Sequence, residues 1–150
     1  MDHQEFKQKF VVFTLWLGVV LDGLIAIDMT LVTLTGSDLM SFMELLPVIY
    51  YIEDSTLAYR YACGAAAGLM WGWTVLLYWV LRSIDTRIDI ALITAVPVVS
   101  GLLVNNILAF QLGYLVLFDV LFQVPIQLFI LTALVFSYRF VREDPNKFRH

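Results

Sequence analysis

The sequence predicts an all-α, polytopic membrane protein: a bundle of four transmembrane helices with a short interfacial helix between the first two. Its 150 residues are 61% hydrophobic and 15% charged, with a mean hydropathy of +0.83, whereas soluble domains are about 45–50% apolar and about 25% charged. Four stretches also reach the roughly 20 mainly apolar residues that a membrane helix needs. They are Phe10–Leu34, Leu57–Leu81, Ile88–Phe110 and Leu115–Tyr138. No linker, low-complexity tract or internal repeat separates them, so we predict a single transmembrane domain over residues 1–150.

The first span resembles the start of a signal peptide, because Lys7 and Lys9 precede it. Its apolar run is much longer than the roughly 7–15 residues of a signal-peptide core, and no A-x-A-like cleavage site follows it. We therefore expect this segment to remain in the protein as a membrane helix.

The connection between the first two spans, Gly36–Thr56, contains no Lys or Arg. Ser37 or Asp38 is suited to cap a short helix, and Pro47 would end it. The apolar residues of this connection recur at helical spacing: Leu39, Met40, Met43 and Leu46. We expect an interfacial helix on the outer leaflet, which either packs its apolar side chains on the bundle or acts as a lid.

The basic residues predict the orientation of the chain. Eight of the nine lie on one side of a four-span topology: Lys7, Lys9, Arg82, Arg87, Arg139, Arg142, Lys147 and Arg149. Only Arg60 belongs to the other side. Because basic residues accumulate in cytoplasmic loops, both termini should be cytoplasmic. For so compact a chain of spans and short turns we expect a bacterial inner membrane, and the alternative is a eukaryotic membrane. So uneven a split also argues against a dual-topology protein.

Polar and charged residues inside the predicted spans are costly. They are Asp22, Asp28, Arg60, Asn105, Asn106, Asp119, Gln123 and Gln127. An Asp or Arg at the centre of a membrane helix costs roughly 2.5–3.5 kcal/mol. Asp22 and Asp28 together therefore make the first span marginal, unless the bundle receives their carboxylates or Asp22 binds a proton.

Depth and helical phase are expected to bring part of this set together. Asp119, Gln123 and Gln127 are spaced four apart and share one face of the fourth predicted helix. We expect a polar pocket that opens to the outer side of the membrane. The expected ligand-binding residues are Asp22, Asn105, Asp119, Gln123 and Gln127. The alternative is hydrogen bonding between helices, which needs no ligand and which we favour for Asn106, Gln123 and Gln127.

Asp28 lies about 120° around the helix from Asp22 and does not share its face. We therefore expect Asp28 to face the second helix and to form a structural ion pair with Arg60. Such a pair would balance two of the charges within the spans.

The second predicted helix carries the clearest packing motif, a GxxxGxxxG repeat formed by Gly64, Gly68 and Gly72. Small residues at this spacing form a groove into which another helix settles. The groove would serve equally well within the bundle, between copies of the chain or with another membrane protein. We expect Trp71 and Trp73 to pack beside it; the alternative is an aromatic wall for a ligand.

The residue types that are missing exclude several functions. A net charge of −4 with nine Lys and Arg provides no basic surface for nucleic acid. Cys63 is the only cysteine, and His3 and His150 are the only histidines, so neither a disulfide couple nor an imidazole metal site fits within the spans. No P-loop is present. We expect no cofactor and no metal, and assign no catalytic residue.

Three functions remain in competition. The first is a carrier or ligand-binding protein for a small polar or amphipathic solute, with Asp22 as a protonatable gate. The second is a non-catalytic assembly or scaffold subunit that associates through the glycine face of the second helix. The third is an intramembrane lipid-modifying enzyme that uses Asp22 and Asp119 as acid and base. The intramembrane carboxylates place the first ahead, with the lipid bilayer and a small molecule as the expected partners.

Overall fold

Four α-helices make up nearly all of the chain that the computed structural model describes, which is residues 3–36, 57–113 and 117–143. They are α1 (His3–Thr35), α2 (Leu57–Leu81), α3 (Ile84–Gln111) and α4 (Leu117–Glu143). Each contains a stretch long and apolar enough to cross a membrane: Glu5–Thr35, Leu57–Leu81, Ile84–Gln111 and Val120–Glu143. The prediction of an all-α membrane chain consistent with a four-helix bundle is therefore confirmed. The predicted interfacial helix falls within residues 37–56, which lie outside the described residues.

The surface of the described helices is apolar. Leu69 on α2 is 78% exposed and Ile93 on α3 is 70% exposed, and α1 and α4 expose Phe13 and Phe129 in the same way. A soluble protein rarely leaves such side chains on its surface over so wide an area. In a bilayer they contact lipid, so the chain is an integral membrane protein.

The helices extend further into charged sequence than the apolar runs predict. The bounds of α2 agree with the prediction, but α3 begins at Ile84 rather than Ile88. Asp85 and Arg87 interrupt the apolar run without interrupting the helix, because an acidic residue is favourable in a first helical turn. Gly36 and Gly113 follow the ends of α1 and α3 with φ of 78°, the left-handed conformation that commonly ends a helix.

The chain divides into two compact units. The split unit consists of Met1–Gly18 and Leu77–His150, and the hairpin unit consists of Val19–Leu76. Both α1 and α2 contribute to each unit. A single domain over residues 1–150 stays a prediction.

The split unit has an aliphatic core to which all four helices contribute. The side chains that are completely or almost completely buried there include Val11, Leu15, Leu77, Val80, Ile88 and Val141. On α3 the buried residues recur every three or four positions from Ile84 to Val99, as expected for one face of a helix. This face joins α3 to the rest of the unit.

In the hairpin unit, α1 and α2 run antiparallel. Thr33 lies against Gly64 near one end of the pair, and Gly23 lies against Thr74 further along. Residue numbers therefore fall on α1 as they rise on α2. Ala26 and Ala67 are both buried in this unit, and such small side chains let helix backbones approach closely.

Candidate functional site

Asp22 is the residue in the hairpin unit that most needs a functional explanation. It lies near the middle of the membrane-spanning stretch of α1 and is partly buried. No hydrogen bond or ion pair from any described residue reaches its carboxylate. A carboxylate in a span usually has a partner or a role in binding ions or protons.

The residue next to Asp22 marks a close approach of the two helices. A Cβ atom added to Gly23 would lie 3.6 Å from Thr74 Cγ2. The Thr74 hydroxyl donates to Met70 O of its own helix (2.8 Å), so this proton is already used within α2.

Trp73 presents a second unsatisfied polar group in the hairpin unit. Its side chain is buried, and its indole N–H has no acceptor among the described residues. Burying a donor without a partner costs about 1–3 kcal/mol. The residues that flank the Gly23–Thr74 contact in sequence therefore include one unsatisfied acceptor, on Asp22, and one unsatisfied donor, on Trp73.

Trp71 differs from Trp73 in this respect. Its indole N–H donates to Thr30 Oγ1 on α1 (3.2 Å), and that hydroxyl donates to Ala26 O (2.7 Å). Trp71 therefore ties α2 to α1. The sequence predicts the same packing role for both tryptophans, but within the described ranges Trp71 alone of the two forms a hydrogen bond to α1.

Arg60 binds the carboxyl-terminal end of α1. Its Nε and Nη2 donate to Thr33 O (3.1 and 2.8 Å), and Nη2 also donates to Leu34 O (2.8 Å). The last carbonyl groups of a helix have no partner within the helix, so a cation there satisfies them and interacts favourably with the helix dipole. The ion pair of Arg60 with Asp28 stays a prediction.

In the split unit, Asn106 and Gln127 are brought together. The Asn106 side chain is buried on α3, and its amide nitrogen donates to Gln127 Oε1 on α4 (3.2 Å). The hydrogen bond joins two membrane-spanning helices and requires no ligand. It leaves the amide protons of Gln127 available to another group.

The other predicted binding residues of the split unit are placed separately. Asn105 is exposed on α3, and Gln123 is partly buried on α4, one turn before Gln127. Asp119 also lies on α4, and its side chain is outside the described part of the chain. Asp22 belongs to the hairpin unit, so the convergence of these residues on one pocket stays a prediction.

The three glycines of the GxxxGxxxG repeat have different surroundings. A Cβ atom added to Gly64 would lie 3.1 Å from Thr33 Cγ2, which is closer than carbon atoms normally pack. At Gly68 and Gly72 no described atom lies within 4 Å of such a Cβ atom. Gly64 therefore belongs to the α1–α2 contact, while at Gly68 and Gly72 no described residue covers α2.

Sequence reasoning missed a set of ion pairs within the split unit. Lys7 Nζ lies 2.5 Å from a Glu143 carboxylate oxygen, and Arg142 binds Asp89 through two hydrogen bonds. These pairs join the start of α1, and the early part of α3, to the end of α4. Residues so far apart in the chain give no periodic signal, although the acidic residues at the helix ends could have indicated them.

No three His, Cys, Asp or Glu side chains within residues 3–36, 57–113 and 117–143 are grouped closely enough to hold a metal ion. The described polar groups instead offer a carboxylate, amides and an indole N–H, which suit hydrogen bonding or proton binding. No protein-family model matches the chain, and no curated protein and no solved structure matches it.

Proposed function

We propose that the chain is a small membrane carrier or ligand-binding protein for a small polar or amphipathic solute, with Asp22 as the group that binds a proton or the solute. The observation that supports this is the Asp22 carboxylate within the α1 span, for which no residue of the described ranges provides a hydrogen bond or an ion pair. Its burial costs roughly 2.5–3.5 kcal/mol at a helix centre. Interhelical hydrogen bonds average only about 0.6 kcal/mol, so adhesion between helices is too weak to explain it.

The chemistry of a ligand follows from the unsatisfied groups. Asp22 accepts hydrogen bonds or binds a cationic group, and the Trp73 indole donates one hydrogen bond. A solute that carries both a donor and an acceptor suits this set.

We further propose that both termini are cytoplasmic, in a bacterial inner membrane. The excess of basic residues on one predicted side supports the orientation, and the compactness of the chain supports the choice of membrane. The Lys7–Glu143 pair joins the start of α1 to the end of α4, and the Asp89–Arg142 pair joins the early part of α3 to the same end. The basic segments at these three helix ends therefore lie on one side of the split unit. A green fluorescent protein fused after His150 should fluoresce, whereas alkaline phosphatase fused there should be inactive; the opposite pattern would reverse the orientation.

The experiment for Asp22 uses chemical labelling that needs no known ligand. Dicyclohexylcarbodiimide reacts with protonated carboxyl groups in apolar surroundings, and the added mass can be located by peptide mapping. Wild-type protein in liposomes should be labelled at residue 22. Asp22→Asn should lose that label, whereas Asp85→Asn, a substitution in the first turn of α3, should keep it. A wild-type protein that is not labelled at Asp22 would contradict a protonatable gate.

Solute binding is tested by thermal stability in detergent against a panel of small polar and amphipathic compounds. Compounds that raise the melting temperature should lose their effect in Asp22→Asn and in Asp119→Asn, and keep it in Asp85→Asn. All three variants should show the helical content of the wild type. A response that survives in the first two variants removes these carboxylates from the binding site.

A specific observation also favours the scaffold alternative. Gly68 and Gly72 leave one face of α2 open within the described chain, whereas Gly64 is already occupied by Thr33. A partner helix could pack on this face. Gly68→Leu should then abolish a complex that Asp22→Asn leaves intact. For a carrier that works alone, Asp22→Asn should abolish the response to solute and Gly68→Leu should leave it unchanged.

A further inference from the structure

The turn between α2 and α3 and the first turns of α3 hold two arginines at the edge of the membrane, Arg82 and Arg87. Only Arg82 and Ser83 separate the spans Leu57–Leu81 and Ile84–Gln111. Arg87 lies one turn into α3. Tyr78 and Trp79 end α2 on the same side, where aromatic side chains prefer the level of the lipid headgroups.

Each arginine is held against an aromatic ring. The Arg82 Cζ atom lies 5.1 Å from the centre of the Tyr78 ring, and Nη2 donates to Tyr78 Oη (2.8 Å). The Arg87 Cζ atom lies 3.9 Å from the centre of the Trp79 ring, and Nη1 donates to Trp79 O (3.0 Å). Both contacts fall within the range of cation–π attraction, so both guanidinium groups are oriented before any ligand arrives.

Neither arginine forms an ion pair with a described carboxylate. Three other cations of the split unit do form ion pairs: Lys7 with Glu143, Lys9 with Glu5 and Arg142 with Asp89. Asp85 lies between Arg82 and Arg87 in sequence but pairs with neither of them in the described structure. A guanidinium group has five N–H donors, and most of them stay unused here.

We propose that Arg82 and Arg87 bind the phosphate of an anionic phospholipid in the adjacent leaflet. The planar donor fork of arginine matches phosphate oxygens. The position of the turn, immediately next to two membrane spans, puts lipid phosphates within reach. The whole chain carries a net charge of −4, so overall charge does not attract anionic lipid. Attraction must therefore come from local groups of cations, and Arg82 and Arg87 are a pair that aromatic contacts hold in place.

The proposal is independent of the solute site, because none of its four residues is among the expected ligand-binding residues. It is also independent of the orientation of the chain, because the lipids of either leaflet carry phosphate. It is tested with the full chain by native mass spectrometry in detergent, titrated with phosphatidylglycerol or with phosphatidylcholine of the same acyl chains. The variants are Arg82→Gln and Arg87→Gln. The matched control is Arg139→Gln, which removes the same charge from an exposed arginine on α4 that has no ring or carboxylate partner among the described residues.

Phosphatidylglycerol should bind the wild type more tightly than phosphatidylcholine. Each variant should weaken phosphatidylglycerol binding by about fivefold, the effect of one basic residue near an anionic surface, and Arg139→Gln should change it less than twofold. Should Arg87→Gln fail to fold, Arg82→Gln provides the measurement alone, since the hydrogen bond and the ring contact described for the Arg82 side chain are both with Tyr78.

Three results would overturn the proposal. One is equal binding of the two lipids by the wild type. Another is a loss in Arg139→Gln as large as in Arg82→Gln, which would show a diffuse charge effect. The third is displacement of phosphatidylglycerol by millimolar inorganic phosphate, which would make free phosphate, and not lipid, the ligand of this turn.

Discussion

Replacing Gly64 by alanine tests the α1–α2 contact of the hairpin unit with one methyl group. The new Cβ atom would lie 3.1 Å from Thr33 Cγ2 and 3.4 Å from Thr33 Oγ1, so the Thr33 side chain must move by a few tenths of an ångström to reach the usual carbon separation of about 3.5–4.0 Å. That side chain is anchored, because its hydroxyl donates to Met29 O (2.8 Å) and also approaches Arg60 O (3.3 Å).

The size of the effect follows from comparing Gly64→Ala with Gly68→Ala. Overpacking a close contact costs about 1–3 kcal/mol, while alanine gains up to about 1 kcal/mol over glycine in a helix. Gly68→Ala has the same gain and no described atom within 4 Å of the new methyl group. The difference between the two variants therefore isolates the contact, and Gly64→Ala should be less stable than Gly68→Ala by about 1–3 kcal/mol.

The measurement is reversible unfolding by sodium dodecyl sulfate in mixed micelles, followed by circular dichroism. A second substitution, Thr33→Ser, removes the Cγ2 methyl group and keeps the hydroxyl. The Gly64→Ala/Thr33→Ser double variant should regain most of the lost stability. Equal stability of the two alanine variants, or no recovery in the double variant, would refute the close contact and its attribution to Thr33.

Three further experiments test the split unit by the same unfolding assay. A double-mutant cycle of Asn106→Leu and Gln127→Leu should give a coupling energy of about 0.6 kcal/mol and below about 1.7 kcal/mol; zero coupling would mean that the side chains do not interact. Ser137→Ala should raise stability by roughly 1 kcal/mol, because its buried hydroxyl has no partner among the described residues, and a loss of stability would reveal a partner. Lys7→Gln should cost about 0.2–1 kcal/mol, and 1 M salt should shrink the difference from wild type if the ion pair with Glu143 is its source.

The apolar runs predict the helices well because a helix that crosses a bilayer must be both apolar and roughly 20 residues long. The bounds of α2 agree with the prediction residue for residue. The predicted start of α3 was late, since a count of apolar residues stops at Asp85 and Arg87 whereas backbone hydrogen bonding does not. Arg87 is accommodated in the helix by the ring of Trp79, a contact across a two-residue turn that composition alone does not show.

Side-chain partners could be predicted less well, because periodicity shows which residues share a helix face but not what lies opposite. Gly64, Gly68 and Gly72 form one motif in the sequence. Each step of four residues advances about 40° around the helix, so the repeat turns away from α1 as it proceeds. Thr33 covers only its first glycine. The hydrogen bond between Asn106 and Gln127 likewise depends on the packing of α3 against α4, which neither helix specifies by itself.

The discontinuity of the split unit has a consequence for biogenesis. The hairpin unit is continuous in the chain, so all of its residues are available before the third helix has left the ribosome, whereas the split unit joins Met1–Gly18 to segments made last. The contacts of Phe10 with Phe140 and of Lys7 with Glu143 cannot form until the fourth helix has been synthesised. The amino-terminal half of α1 must therefore wait longest, during insertion, for the helix that it contacts. A nascent chain that stops before α4 would leave this half of α1 without its contacts to α4.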